Sequence, residues 1–207
     1  MNKPLKKLCL ASGVALAFGA QADTFTITAT VDNAITLVET TPFTLGDIFI
    51  MAETGTVGGG TDAALLTIDD ASDTTVTAST FATNPTSTIV ALGGAQAGVI
   101  SISGAAAFTA VTVTPSVAAA DFLSHSSGSP AVPDIEWNSI TVYDGDDVTT
   151  TATNVVGTST NTISVTTDGS GNADIIVGGI FEAAESAAVD DYEDGTYTGT
   201  YDIDVAY

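Results

Sequence analysis

Two acid-rich turns hold the residues whose types and spacing best suit chemistry, and that chemistry is the binding of a hard cation. The first turn, Asp-Gly-Asp-Asp, offers the carboxylates of Asp144, Asp146 and Asp147. The second, Asp-Gly-Ser-Gly-Asn-Ala-Asp, places oxygen ligands at alternate positions, namely Asp168, Ser170, Asn172 and Asp174. Carboxylate, hydroxyl and amide oxygens are ligands for Ca²⁺, although neither turn matches the full EF-hand pattern. We expect two solvated turns with no cofactor, and calcium bound at this spacing is the alternative.

Other reactive side chains are scarce. The sequence has one histidine, His125, in a serine-rich stretch predicted as an exposed loop at residues 124–133. A Ser–His–Asp site needs a nucleophile elbow or an equivalent scaffold, and the sequence has none. Many carboxylates guarantee some pairs by chance, so they are weak support for glycoside hydrolysis. We do not expect an enzyme.

The first 22 residues have the pattern of a secretory signal peptide. A basic start with Lys3, Lys6 and Lys7 precedes an apolar run, and a small-residue motif ends at Ala22. Cleavage after Ala22 removes Cys9 and leaves a mature chain without cysteine. No later stretch is long and apolar enough to span a membrane as a helix. We therefore expect a protein that is secreted or held on the surface of a bacterium.

The charge balance excludes several functions. The chain has 25 Asp and Glu against 3 Lys and Arg, and all three lysines lie in the predicted signal. The expected mature chain thus has no basic patch for nucleic acid or anionic lipid, and no lysine for an isopeptide crosslink. Its self-repulsion opposes assembly, and salt relieves that repulsion because the Debye length falls from about 10 Å at 0.1 M to about 3 Å at 1 M. A saline habitat or bound cations would suit this surface.

Strand patterns with turn residues between them predict an all-β chain. Thr, Val and Ile are stiff at χ1 and suit a pleated sheet, and no strong helical pattern interrupts them. Turns are predicted at several glycine pairs, including Gly178-Gly179, and an exposed acidic loop at residues 182–194. We predict one domain at residues 34–207 with an insertion around residues 51–98. Its expected fold is an antiparallel β-sandwich of Ig-like or pilin-like form.

Residues 23–33 follow the expected cleavage site and alternate with period two. Their apolar side consists of Phe25, Ile27, Ala29 and Val31, and threonines occupy the other side. A strand near a chain end pairs within its own domain or is donated to a neighbouring subunit, where alternate side chains fill pockets. The sequence leaves both arrangements open, and this segment is the candidate donor strand.

Residues 196–207 are predicted to form one strand with the same alternation. Its alternate residues are Tyr197, Gly199, Tyr201, Ile203, Val205 and Tyr207. Glycine between two tyrosines leaves room for a neighbouring ring or allows a bend. Tyrosines give large rigid contacts whose hydroxyls can stay wet. This strand is the candidate acceptor for residues 23–33, and ordinary core is the alternative role of its tyrosines.

Both ends of the chain and part of its middle resemble a family of small exported bacterial β-sandwich domains of unknown function. The matching motifs are Val-Gly-Gly at Val177, the Gly-x-Tyr-x-Gly-x-Tyr of residues 195–201, and the closing aromatic Tyr207. Residues 35–48 resemble that family's opening, and residues 100–115 resemble its central strand pair. The family is similar in outline to spore-coat-like and archaic chaperone–usher pilins. The resemblance does not reach residues 51–98.

The resemblance implies a secreted structural subunit of a surface filament or an extracellular matrix. Such a subunit assembles with copies of itself by strand donation from the N-terminus, with a periplasmic chaperone and an outer-membrane assembly platform as further partners. In that family the second acid-rich stretch looks like a plain turn. The alternative function is a monomeric adhesin or ligand-binding module. It would bind glycan or calcium through residues 124–133 and the acidic turns. Trp137 would take part if its side chain is exposed.

Overall fold

The computed structural model describes residues 34–51, 64–68, 77–80, 87–117, 122–156, 159–183 and 192–207. Every regular element in these ranges is a β-strand. Each strand pair among them is antiparallel. The predicted all-β class is therefore confirmed.

The strands follow one another with short connections wherever the chain between them is described. In chain order they are β1 (Thr36–Thr41), β2 (Asp47–Met51), β3 (Ala64–Ile68), β4 (Thr77–Thr80), β5 (Thr88–Gly93), β6 (Gly98–Ser103), β7 (Ala110–Ser116), β8 (Phe122–His125), β9 (Ile135–Asp144), β10 (Thr151–Val155), β11 (Ile163–Thr166), β12 (Ala173–Glu182), β13 (Tyr197–Thr198) and β14 (Asp202–Ala206).

Two ten-residue strands, β9 and β12, pair at the centre of a nine-stranded sheet. The outer edge of β12 pairs first with β6 and then with β3, which lead to β1 and β4. The outer edge of β9 pairs with β8 and β10, and β13 adds to β8. Strands β11, β7 and β14 form a three-stranded sheet, and β2 and β5 form a two-stranded sheet.

The hydrophobic core joins the two larger sheets. Strand β7 buries Val111 and Val113 and turns the threonine between them outward, as period-two alternation requires. Strands β9 and β12 are buried on both faces in their middle, and the polar Ser139 and Thr141 are among the buried residues of β9. Ile140 and Ile175 are fully buried. These side chains belong to one cluster with those of β7 and β11. The Ig-like or pilin-like form of the sandwich stays a prediction.

Residues Asn33–Tyr207 form one compact unit. The described part of the predicted insertion around residues 51–98 contributes β3, β4 and β5, and Leu66 and Ile89 from it are buried in the core. The predicted signal peptide at residues 1–22 and the candidate donor strand at residues 23–33 lie outside the described residues.

The prediction of a single strand at residues 196–207 is wrong. Strand β13 pairs with β8 in the nine-stranded sheet, whereas β14 pairs with β7 in the three-stranded sheet. The chain crosses between the sheets at residues 199–201. A Cβ on Gly199 would lie 3.0 Å from the carbonyl oxygen of Phe122, so the chain crosses close to β8. Alternation persists through the crossing, and alternation alone does not reveal a change of sheet.

The predicted turn at Gly178-Gly179 is also wrong, because both glycines lie inside β12. A Cβ on Gly178 would overlap the carbonyl oxygen of Ile68. A Cβ on Gly179 would lie 2.8 Å from the carbonyl oxygen of Ser139 and 2.9 Å from Nε1 of Trp137. Glycine inside a strand often marks a close approach of another group, and both positions are of that kind.

Asn154 is a buried polar residue that ties β10 to its neighbours. Its Nδ2 donates to the carbonyl oxygens of Pro115, at 2.6 Å, and Asn161, at 3.0 Å. Its Oδ1 accepts from the backbone N–H of Asn161. The side chain thereby joins β10 to the end of β7 and to the connection before β11.

Replacing Asn154 with alanine should lower the free energy of unfolding by about 2 kcal/mol, because buried backbone groups lose their partners. Urea denaturation measures this change. The matched control is Asn138→Ala, because Asn138 is exposed and its Nδ2 donates to the carboxylate of Glu182 at the surface. That control should cost less than about 0.5 kcal/mol. Equal effects of the two substitutions would contradict the role assigned to Asn154.

Candidate functional site: an aromatic groove between two strand edges

An open groove of about 760 Å³, called here the aromatic groove, lies in the described part of the chain. Its lining comes from residues 42–50, which lead into and form most of β2, and from residues 192–201, which include β13. Four further side chains from β8, β9 and β12 complete it: Leu123, Ile135, Trp137 and Phe181. These four are buried and form its base.

Four aromatic rings pack together at this base. Trp137 and Phe181 have ring centroids 4.9 Å apart, and Phe43 lies 5.7 Å from each of them. Tyr201 meets the rings of Trp137 and Phe43 edge to face, at 5.8 and 6.1 Å. Offset and edge-to-face rings at these separations attract one another beyond their burial. The base of the groove is therefore a rigid apolar surface.

A bulge and close-fitting glycines place these rings. Strand β9 carries one extra residue, Asn138, opposite the step from Ile180 to Phe181 in β12. The indole Nε1 of Trp137 donates to the carbonyl oxygen of Ser139 across this bulge, at 3.0 Å. Bulges re-aim side chains at sheet edges and next to functional sites. Here the bulge and Gly179 let the indole lie flat against β12.

Strand edges flank the groove. Within the described residues, β2 pairs only with β5 and β13 pairs only with β8. Each therefore presents one edge beside which the described part of the chain places no strand. An edge of this kind is a template for the addition of another strand.

The groove is acidic around its aromatic base. Asp47, Glu193 and Asp194 line it, and the three basic residues of the chain all lie at positions 3–7, outside the described residues. No Lys or Arg therefore balances these carboxylates in the described part of the chain. The groove suits an apolar or cationic occupant and disfavours an anionic one.

The hydroxyl of Tyr201 lies within hydrogen-bond distance of the Glu39 carboxylate. The hydroxyl donates to Oε1 of Glu39 at 3.4 Å. Burial, followed by the negative charge of Glu39, raises the pKa of Tyr201 to about 12. A free tyrosine ionises near pH 10. The Tyr201 ring therefore stays neutral to a higher pH than a free tyrosine and is neutral across the physiological range.

Alkaline titration should therefore show that Tyr201 ionises late. Because the folded-state pKa of Tyr201 exceeds the unfolded value near 10, its contribution to stability is complete below pH 10 and is lost as pH rises through about 12. We expect Tyr201→Phe to reduce the tyrosinate absorbance that develops near pH 12 by one residue. Tyr207→Phe, which alters an exposed ring, should leave that step in place. Survival of the full step in Tyr201→Phe would refute the assignment.

A second aromatic cluster stands at the β13 side of the groove. The rings of His125 and Tyr192 lie 5.0 and 5.9 Å from that of Tyr197, whose hydroxyl donates to the carbonyl oxygen of Glu193 at 3.1 Å. Burial is the main cause that raises the pKa of Tyr197. His125 was predicted in an exposed loop, but it ends β8, is half-buried, and its Nε2 is buried beside Gly195. That part of the prediction is wrong because β13 covers the ring.

The residues predicted as an acceptor strand separate into two groups. Tyr197, Gly199 and Tyr201 line the aromatic groove. Ile203 and Val205 lie on β14 in the other sheet, where they are half-buried against the core. Tyr207 follows β14, and its hydroxyl accepts from the backbone N–H of Ala106 at 3.0 Å. The candidate donor residues Phe25, Ile27, Ala29 and Val31 lie outside the described residues.

The two acid-rich turns meet at one end of β12. The backbone N–H of Gly145 donates to the carbonyl oxygen of Asp174 at 2.9 Å. Asp144 accepts from the N–H of Asp146 at 3.0 Å, and Asp174 accepts from the hydroxyl of Ser101 at 2.6 Å. The sequence predicted the turns separately, and the pairing of β9 with β12 brings them together.

Two of these carboxylates are occupied by their own turns. The hydroxyl and then the backbone N–H of Thr149 lower the pKa of Asp147. The backbone N–H groups of Asn172 and Ser170 lower the pKa of Asp168. In the described ranges, no group of three or more His, Cys, Asp or Glu is arranged to hold a metal ion. Calcium binding stays a prediction, which melting temperatures with calcium and with chelator test.

Sequence reasoning missed the base of the groove. The sequence predicts Trp137 as a platform for carbohydrate stacking only if its side chain is exposed. The side chain is 5% exposed and forms part of the buried base of the groove. Phe43 and Phe181 were not considered as site residues. These aromatic residues are far apart in the chain, and no local motif joins them. Only the pairing of β9 with β12 brings Trp137 beside Phe181.

The fold and this groove define an all-β protein with an open, aromatic-based cleft between two strand edges. No protein-family model matches the sequence, and comparison with curated proteins and with solved structures gave no match. Among the described residues, no helix has the length and apolar character needed to cross a bilayer. The resemblance to exported β-sandwich domains and pilins stays a prediction.

Proposed function

We propose that this chain is a secreted structural subunit of a surface filament or extracellular matrix. Each subunit inserts residues 23–33 into the aromatic groove of the next subunit. The observation that carries this proposal is the groove itself, whose apolar base lies between the open edges of β2 and β13. A strand laid there gains main-chain hydrogen bonds at the edges and buries alternate side chains on the base.

The side-chain pattern of residues 23–33 supports this occupant. Phe25, Ile27, Ala29 and Val31 are apolar and share one side, so they suit a base formed by Phe43, Trp137 and Tyr201. The threonines of the other side would face solvent or the rim. This segment has no basic residue, and its two carboxylates, Asp23 and Asp32, lie near its ends and outside the apolar alternation.

Charge makes assembly depend on salt. The 25 acidic residues repel one another between subunits, and the three lysines lie in the predicted signal peptide. Screening shortens the range of this repulsion, so filaments should form more readily at high salt. A periplasmic chaperone that occupies the groove and an outer-membrane assembly platform are the partners that such a subunit needs. The resemblance to exported pilin-like domains agrees with this role.

A monomeric ligand-binding module is the second candidate, and the same groove favours it. Aromatic rings beside carboxylates suit a glycan or an organic cation, and calcium at the acid-rich turns would belong to this function. Residues 23–33 would then pair within their own domain outside the groove, which would stay free for the ligand. Because Trp137 is buried, a bound glycan would stack on rings nearer the rim of the groove, such as Tyr197.

Negative-stain electron microscopy of residues 23–207 tests the proposal. The protein is examined at about 1 M and at about 0.05 M NaCl, where the Debye length changes from roughly 3 Å to more than 10 Å. Regular filaments that increase with salt support the filament subunit. The sample is also examined after pre-formed cell-surface material has been added. Dispersed single particles at both salt concentrations, with and without that material, would favour the monomeric module.

A further inference from the structure

A second apolar surface lies on the two-stranded sheet and shares only Phe49 with the lining of the aromatic groove. Its outward side chains are Phe49 and Met51 from β2 and Val90 and Leu92 from β5, and we call it the β2–β5 face. Phe49 and Val90 are directly opposite each other in the ladder, and Leu92 is 69% exposed. The alternate residues Ile48, Ile50 and Ile89 turn inward. Exposed apolar patches of this kind mark interaction sites.

We propose that the β2–β5 face is a surface through which two copies of this chain associate. The contact would be isologous, with the same face of each copy against the other. It goes beyond strand donation and does not depend on it, because three of its four side chains, Met51, Val90 and Leu92, lie outside the groove lining. Sheets pack face to face through apolar side chains in this way.

Charge identifies a second copy as the partner. The two strands of this face contain one ionisable residue, Asp47, which lies at the end of β2. Two copies of a chain with 25 acidic residues and no basic residue beyond Lys7 can approach with least repulsion where neither surface carries carboxylates. A basic partner protein would instead bind to the acidic surfaces of the chain, where opposite charges attract. The neutral, apolar character of the face therefore fits another copy of this chain.

The size of the face predicts a weak association. Four side chains per copy bury far less than the roughly 1,200 Å² of a standard interface, so we expect a transient dimer. Salt should strengthen it, because the apolar contact persists while the repulsion of the remaining surface is screened. An interface held by ion pairs would show the opposite dependence on salt.

Sedimentation velocity of the soluble purified chain measures this association at low and high salt. Introducing Leu92→Glu, alone and together with Met51→Glu, should weaken dimerisation by about tenfold or more, since each places a carboxylate against an apolar partner. The matched control is Val155→Glu on β10, another exposed apolar position. Near-ultraviolet circular dichroism checks that the variants fold. A chain that stays monomeric at both salts, or equal weakening by Val155→Glu, would overturn the proposal.

Crosslinking gives a readout that needs no charged substitution. In a Cys9→Ser background, Leu92→Cys treated with a short bis-maleimide should give covalent dimers, and Val155→Cys should give few. Deletion of residues 24–31 should leave the position-92 crosslink unchanged, which separates this contact from strand donation. Absence of the position-92 dimer at high salt, or its loss on that deletion, would show that this face does not join two copies by itself.

Discussion

Deleting residues 24–31 should abolish filaments under conditions in which the intact chain forms them. The deletion removes Phe25, Ile27, Ala29 and Val31, which are the side chains proposed to cover the aromatic groove of the next subunit. Without them the edges of β2 and β13 have no strand to pair with, and the half-buried rings of Phe43 and Tyr201 stay open to water. Electron microscopy and sedimentation at about 1 M NaCl, where repulsion is screened, measure the result.

Single substitutions sharpen this test because the strand alternates. Ile27→Asp places a carboxylate on the apolar side, where desolvation in the groove would cost several kcal/mol. Thr28→Asp adds the same charge on the opposite side and is the matched control. We expect Ile27→Asp to abolish filaments and Thr28→Asp to preserve them at high salt. Normal assembly by the deletion, or equal effects of both substitutions, would rule out strand donation by this segment.

Thermal stability separates donation to a neighbour from pairing within one domain. If residues 23–33 fill their own groove, the deletion exposes Trp137 and its neighbours in the monomer, and its melting temperature falls sharply. If the strand serves only a neighbour, the monomer loses nothing on deletion and its melting temperature changes little. In that case assembly itself should raise the melting temperature of the intact chain, because association stabilises the folded state by mass action.

The all-β class and many strand positions could be predicted from sequence because they depend on local pattern. Strand β7 reads directly as alternate buried valines and outward threonines, and the structure has that arrangement. The two acid-rich turns were also located correctly, since Asp168 caps its turn by accepting two backbone N–H groups. Local hydrogen bonding of short polar side chains is a property of a few consecutive residues.

The groove could not be predicted because it depends on pairings between distant strands. Phe43, Trp137, Phe181 and Tyr201 meet only after β9 has paired with β12 and the chain has crossed from β13 to β14. The alternation of residues 196–207 continues across that crossing, so one periodic pattern covers two strands in two sheets. The turn predicted at Gly178 and Gly179 is wrong for a related reason, because it too was inferred from local pattern alone. Glycine pairs favour turns, yet here the absence of a side chain serves the close approach of neighbouring strands.

The second large effect is expected at Gly178, which lies where β12 changes its neighbour. Residues before Gly178 pair with β6, and residues after it pair with β3. The carbonyl oxygen of Ile68, at the end of β3, fills the space that a Cβ would need. The obstacle is backbone in a central sheet, so it cannot rotate away as a side chain can. We expect Gly178→Ala to lower the free energy of unfolding by at least about 3 kcal/mol.

Gly169→Ala is the matched control for this prediction. A Cβ there would meet only Cζ of Phe108, at 3.0 Å, and that ring is 77% exposed and free to swing outward. Both substitutions restrict the unfolded chain equally, so this contribution cancels in the comparison. Urea denaturation should give a change below about 0.5 kcal/mol for Gly169→Ala. A domain of ordinary stability has about 5–15 kcal/mol in total, so the Gly178 change should be plain in the midpoint. Similar small changes in both variants would mean that β3 can move away from β12, and that the junction of β3, β6 and β12 does not hold the sheet together.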